Sequence, residues 1–240
     1  MNARVIASAF VLLCVAALGP ANGAAAERPI EGEERARLVE RLRERQRDVV
    51  SLRASVLQRK RHPLLKAEAV SRGTLVFQRP HRLRWEVTSP EALIIVTDGT
   101  TLLTYHPTRR EAERRDLRAD IGVQAALDFL ASGMSLSIGE MEKRFQVAVF
   151  REDESLTFSL SPRSKWVSQA IASITISQRD GDPVPRQIVI VGQKGDRTET
   201  TLTDVVVNPQ FVDDPFNLRL GPDVRVTDLH QGPGGRGSDP

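Results

Sequence analysis

Between Ser51 and Tyr105 the apolar residues fall largely on alternate positions, in short runs separated by Arg79-Pro80, Ser89-Pro90 and Asp98-Gly99. A strand points successive side chains to opposite faces, so a period of two reads as β-structure with a covered face. The runs are Leu52, Ala54 and Val56 (alternating with Arg53, Ser55 and Leu57), then Thr74–Phe77, Leu83–Val87, Leu93–Val96 and Thr101–Tyr105. Proline has no ladder donor, and glycine takes the positive φ that tight hairpins need, so the interruptions read as turns between antiparallel neighbours. Similar runs return as Phe145–Phe150, Leu156–Leu160, Ile171–Ser177, Gln187–Val191 and Thr198–Val207, broken at Pro162 and at Pro183/Pro185. No internal repeat stands out. The chain reads as mainly β, one large antiparallel sheet of about ten strands.

Two segments follow a helical period instead. From Glu33 to Val50, Val39, Leu42 and Val49 make a narrow apolar stripe among many Glu and Arg, with Ala36 and Val50 also at helical spacing. From Asp120 to Ala131 the apolar side holds Ile121, Ala125, Leu127 or Leu130, and Phe129, and a linker with Gly133 and Gly139 follows. A sheet of this size curls, and its concave face has to be covered. Two amphipathic helices are the cover available. They enclose a packed core or a cavity, and the pattern leaves both open.

The N-terminus reads as an export signal. Met1–Arg4 is positively charged, Ile6–Leu18 is almost wholly apolar, and Ala24-Ala25-Ala26 offers the small residues a signal peptidase cuts after. The apolar run is shorter than the roughly 20 residues a membrane span needs. We expect residues 1–26 to be removed, residues 27–230 to form a single domain, and residues 231–240, QGPGGRGSDP, to be disordered. Cys14 is the single cysteine and follows Leu13, where a lipoprotein signal has a small residue. The mature chain then has no disulfide and no thiolate metal site, which fits a bacterial periplasm. With 34 basic and 31 acidic residues the charge is too balanced to argue for a nucleic-acid partner.

Catalytic signatures are missing. His62, His81, His106 and His230 are scattered without metal-ligand spacing, and there is no G-x-S-x-G, H-E-x-x-H or Walker loop. Asp213 and Asp214 precede Pro215, which suits a turn better than acid–base chemistry. The expectation is therefore a non-enzyme without metal or cofactor. The cluster Arg79, Arg82, Arg84 beside Trp85 lacks the further exposed rings of a stacking platform. Alternation puts Arg82, Arg84 and Glu86 on the solvent face and Leu83, Trp85 and Val87 inward. Arg79 differs, because at a strand end before Pro80 its guanidinium can reach the carbonyls of another element and hold it.

At this point an ordered set of residues resembles a known family. The set is Gly73-x-Leu75-x-Phe77-x-Arg79-Pro80-x-x-Leu83-x-Trp85, Pro90, Val96-x-Asp98-Gly99-x-x-Leu102-x-x-Tyr105-x-Pro107, then Leu160-x-Pro162, Ile171–Ile176 and Asn208…Phe216-x-Leu218…Pro222-x-Val224. It is similar to the periplasmic outer-membrane lipoprotein carriers, the LolA-like proteins, over nearly the whole mature chain. The resemblance implies an incomplete, strongly curved antiparallel barrel of about ten to eleven strands, with helices as a lid over an apolar cavity. That cavity would take the acyl chains of a lipoprotein or related lipid from an inner-membrane exporter to an outer-membrane acceptor, as a monomer and without cofactor.

The resemblance also implies residue roles. Arg79 would hold the lid and govern release, and Trp85 would line the cavity. Together with the strand pattern this gives a candidate lining of Leu75, Phe77, Leu83, Trp85, Val87, Ile94, Val96, Leu103, Tyr105, Phe129 and Leu130, with ordinary core as the alternative for each. The chain departs from the family at the charged Arg109–Arg118 and at Gly133–Met141. A glycolipid or other acylated cargo, or a lipid-sensing binding module, is the alternative function. The helix arginines Arg41, Arg43 and Arg45 are candidates for meeting anionic lipid or an acidic exporter loop.

Overall fold

The computed structural model describes residues 28–64, 66–117 and 138–229. The expected signal segment, the expected helix over 120–131 with Phe129 and Leu130, and the expected tail therefore lie outside the described residues. The strands, in chain order, are β1 (Arg28–Pro29), β2 (Ser51–Arg61), β3 (Ala69–Gln78), β4 (Arg82–Ser89), β5 (Leu93–Thr97), β6 (Thr101–His106), β7 (Glu111–Asp116), β8 (Phe145–Glu152), β9 (Ser155–Pro162), β10 (Ile171–Arg179), β11 (Gln187–Gly192), β12 (Arg197–Val207) and β13 (Arg225–Leu229). The helices are α1 (Gly32–Arg47), α2 (Ile138–Arg144) and α3 (Lys165–Ala170).

All thirteen strands belong to one open, curved sheet in the order β1-β8-β9-β10-β11-β12-β2-β3-β4-β5-β6-β7-β13. Ten to eleven antiparallel strands were expected. The additional ones are the two-residue β1 and two charged strands, β7 and β13, and β13 lies parallel to β7. Charged side chains hold that edge: Arg225 donates to Glu111, and Arg114 lies 3.4 Å from Asp228.

Helix α1 begins with Glu33 and Glu34 and ends with Arg45 and Arg47, each complementing the helix dipole. Its buried residues Leu38, Leu42 and Gln46 recur every four positions on one side. That side lies over β8–β11, where Leu38 and Leu42 join Val149, Phe158, Leu160, Ile174, Ile176 and Ile188, with Ile138 and Met141 of α2. Burying each such side chain contributes roughly 1.5–3 kcal/mol. Asp180 fixes the last turn: its carboxylate accepts from Arg151 at 2.6 Å and from Arg45 at 3.4 Å, and the Arg151 bond above all holds its pKa below the ordinary value. The helix stops at Arg47, so Val49 joins a different cluster over β2–β4.

Candidate functional site

Opposed residues of an antiparallel pair share a face. Leu75 faces Trp85, Phe77 faces Leu83, and Gly73 faces Val87. In the next pair Trp85 faces Ile95 and Val87 faces Leu93, and beyond it Ile95 faces Thr104 and Thr97 faces Leu102. In the other direction Leu75 faces Ala54, and Val56 faces both Gly73 and Leu202. Two positions along β12 from Leu202, Thr200 faces Ile188, which faces Ile176, which faces Phe158. One uninterrupted face thus runs from the strands beneath α1 to β6. Leu75, Phe77 and Leu83 are buried on it with Val49, Leu52, Ala54, Val56, Val184 and Leu202, and the half-buried Trp85 packs against them. Val87 is buried as well.

Ile94, Val96, Leu103 and Tyr105 lie on the opposite face. Ile94 pairs with Tyr105 and Val96 with Leu103, and across β4 they meet Glu86 and Arg84. The single expected lining set is thus divided between two faces. On this opposite face the segment after β12 lays Phe216 over Val76 and Val96, with Ile94, Phe211 and Leu218 alongside.

The arginines expected in solvent hold that segment. The Arg82 guanidinium donates to both Asp214 oxygens, at 2.8 and 2.6 Å, and stacks over the Phe216 ring at 4.4 Å. Arg84 donates to the Pro215 carbonyl at 3.2 Å and pairs with Glu86 at 2.9 Å, with its side chain 20% exposed. The alternation was read correctly, but the polar face of β4 is covered rather than solvated. Asp214 also accepts from the Phe216 N–H at 3.0 Å, and this bond, then Arg82, holds its carboxyl below the ordinary pKa.

Arg79 follows β3, is half-buried, and its backbone N–H donates to the Val50 carbonyl at 2.9 Å. Among the described residues no hydrogen bond or ion pair of its guanidinium is found. Val50 is held from the other side by Asn208, whose Oδ1 accepts from the N–H groups of Val50 (2.8 Å) and Ser51 (3.1 Å). The Asn208 amide also donates to the Asp48 carbonyl at 2.7 Å. Asn208 has φ 49°, a left-handed conformation that Asn tolerates better than most residues. The other turn at this end, Asp98-Gly99, is closed by Asp98 Oδ1, which accepts from the N–H groups of Thr100 and Thr101, each at 2.8 Å. Burial alone would raise the Asp98 pKa, but these bonds and the Thr100 hydroxyl outweigh it and lower it.

A family model described as outer membrane lipoprotein carrier protein LolA matches residues 47–219. The chain belongs to that family. An outer-membrane lipoprotein carrier protein of Bordetella avium is 22% identical over 167 residues, covering 70% of this chain and 76% of its own length. Proteins of the same description match from Coxiella burnetii (31% over 93 residues, 39% of this chain and 42% of theirs) and Pseudomonas putida (24% over 154 residues, 63% and 70%). Among solved structures, a LolA superfamily protein of Nitrosomonas europaea has a TM-score of 0.38 at 12% identity, covering 73% of this chain and 94% of its own. An uncharacterized conserved protein of Thermus thermophilus reaches 0.49 at 13%, covering 81% and 99%.

Within this carrier family fold, the residues that sequence pattern missed are Leu93, Ile95 and Leu102, half-buried on the face of Trp85. Their runs are apolar at every position, so no period within the strand marks the face; the pairing to Trp85 does. Among the described residues, no group of His, Cys, Asp and Glu is placed to hold a metal, and no helix is long and apolar enough to cross a membrane.

Proposed function

We propose that this protein is a periplasmic carrier that shields the acyl chains of lipoproteins and moves them from the inner membrane to the outer membrane. The observation that carries the reading is the face holding Trp85. Across β4–β6 it carries Val87, Leu93, Ile95 and Leu102, interrupted only by Thr97 and Thr104 among the residues these pairings place there, while α1 covers β8–β11 and contributes no side chain to the β2–β4 cluster. An acyl chain laid on this surface leaves water at a gain of roughly 0.8 kcal/mol per CH₂. A carrier must also release its cargo, and a polar contact breaks more readily than a packed core. Arg79, at the end of the same sheet with its guanidinium unpartnered among the described residues, is the residue we assign to release.

The test compares faces. Trp85→Glu buries a charge where the chain would lie, whereas Tyr105→Glu changes the opposite face. Titration with a fluorescent fatty-acyl probe gives at least about tenfold weaker binding for Trp85→Glu and little change for Tyr105→Glu. Equal affinities for the two variants would remove the Trp85 face as the acyl surface.

A further inference from the structure

Leu64, at the tip of the β2–β3 hairpin, is 86% exposed. A lone exposed leucine is ordinary; its setting here is not. The turn is built to hold it out, with the Leu64 N–H donating to His62 Nδ1 at 3.2 Å. Exposed cations ring the tip: Arg59, Lys60 and Arg61 at the end of β2, Lys66 on the return, and Lys194 and Arg197 from the neighbouring β11–β12 turn. The two turns abut, since a Cβ built on Gly195 would lie 3.1 Å from Pro63 Cγ, and Arg197 is the ladder partner of Arg61. Glu68 is taken up by Arg59 and Glu199 by Arg197, each at 3.1 Å. Among the described residues Lys60, Arg61, Lys66 and Lys194 have no ion-pair partner.

We infer that the β2–β3 hairpin tip docks on an anionic phospholipid bilayer, with Leu64 entering the interface and Lys60, Arg61, Lys66 and Lys194 among the headgroup phosphates. Cations near an anionic surface are each worth about a fivefold gain in partitioning, and one buried aliphatic side chain adds roughly tenfold. The contact is shallow and is screened by salt. It leaves the protein reversibly bound. An acidic protein partner would use the cations but gives no role to the leucine held out beyond them. This docking goes beyond acyl carriage and does not depend on it, because the tip lies at the end of the sheet opposite Arg79.

Flotation of residues 27–240 with vesicles of phosphatidylglycerol and phosphatidylethanolamine, against vesicles of phosphatidylcholine alone, tests it. We expect binding to the anionic vesicles that falls with salt and little binding to phosphatidylcholine. Leu64→Ser weakens it about tenfold and the double change Lys60→Gln/Lys66→Gln about 25-fold. Both variants take up a fluorescent acyl probe as the parent does, which separates this result from failure of the carrier reading. Absence of flotation, equal binding to both vesicle types, or full binding by Leu64→Ser overturns the proposal; in the last case the cations would serve an acidic partner instead.

Discussion

Asn208 joins three parts of the molecule, and its removal has a magnitude that can be worked out. Its side chain accepts from Val50 and Ser51 and donates to Asp48, and its backbone N–H donates to the Ser51 carbonyl at 2.9 Å. Asn208→Ala deletes the three side-chain bonds. The site is exposed, so each contributes at the low end of the usual range, about 0.5 kcal/mol. Alanine at φ 49° adds about 1 kcal/mol of backbone strain that asparagine offsets locally. The sum is about 2.5 kcal/mol, or about 5–10 °C in Tm for a chain of this size. Asn208→Gly loses the same bonds without the strain, and its Tm should fall by only about 3–6 °C. Calorimetry on both variants distinguishes the two contributions. Equal Tm values would refute the strain argument, and an unchanged Tm in both would refute the anchoring role. Because Val50 also accepts from the Arg79 N–H, hydrogen exchange at Arg79 should speed up in both variants.

Other perturbations follow from the same geometry. Gly73→Ala places a Cβ 1.9 Å from the Glu86 carbonyl oxygen, backbone against backbone, so β3 and β4 must part; we expect about 3 kcal/mol of destabilisation, read by urea unfolding. Asp214 has a lowered folded pKa, so its contribution is complete above the unfolded value near 3.9 and is lost as pH falls through the lower folded value. The protection factor of the Phe216 amide should therefore hold down to about pH 4 and fall below it, and Asp214→Asn should lower it at the higher pH values; a pH-independent protection factor in the parent contradicts the pinning role. Arg79→Leu should bind the acyl probe normally but transfer it to acceptor vesicles at least about tenfold more slowly, and unchanged transfer kinetics would exclude Arg79 from release.

Much of the sheet was legible because strands β2–β6 and β8–β12 carry their own period or their own Pro and Gly punctuation. β7 and β13 were not, since EAERRD and RVTDL have no apolar alternation; these strands exist through pairing to each other and to β6. The candidate site was half legible. Period two gives the phase within a strand, not between strands, so Leu93-Ile94-Ile95-Val96 offered no way to choose its inward face. Only the register against Trp85 selects Leu93 and Ile95 over Ile94 and Val96. Arg82 and Arg84 were placed on the correct face but read as solvated, because the covering segment around Phe216 comes from residues more than a hundred positions away.

The measurement that bears most directly on acyl carriage is native mass spectrometry of residues 27–240 purified from periplasm without detergent. The account predicts a bound acylated species that detergent removes and that Trp85→Glu fails to retain. A clean unliganded mass, together with no uptake of a fluorescent fatty-acyl probe, would mean that the Trp85 face is filled core and that the protein carries no acyl chain.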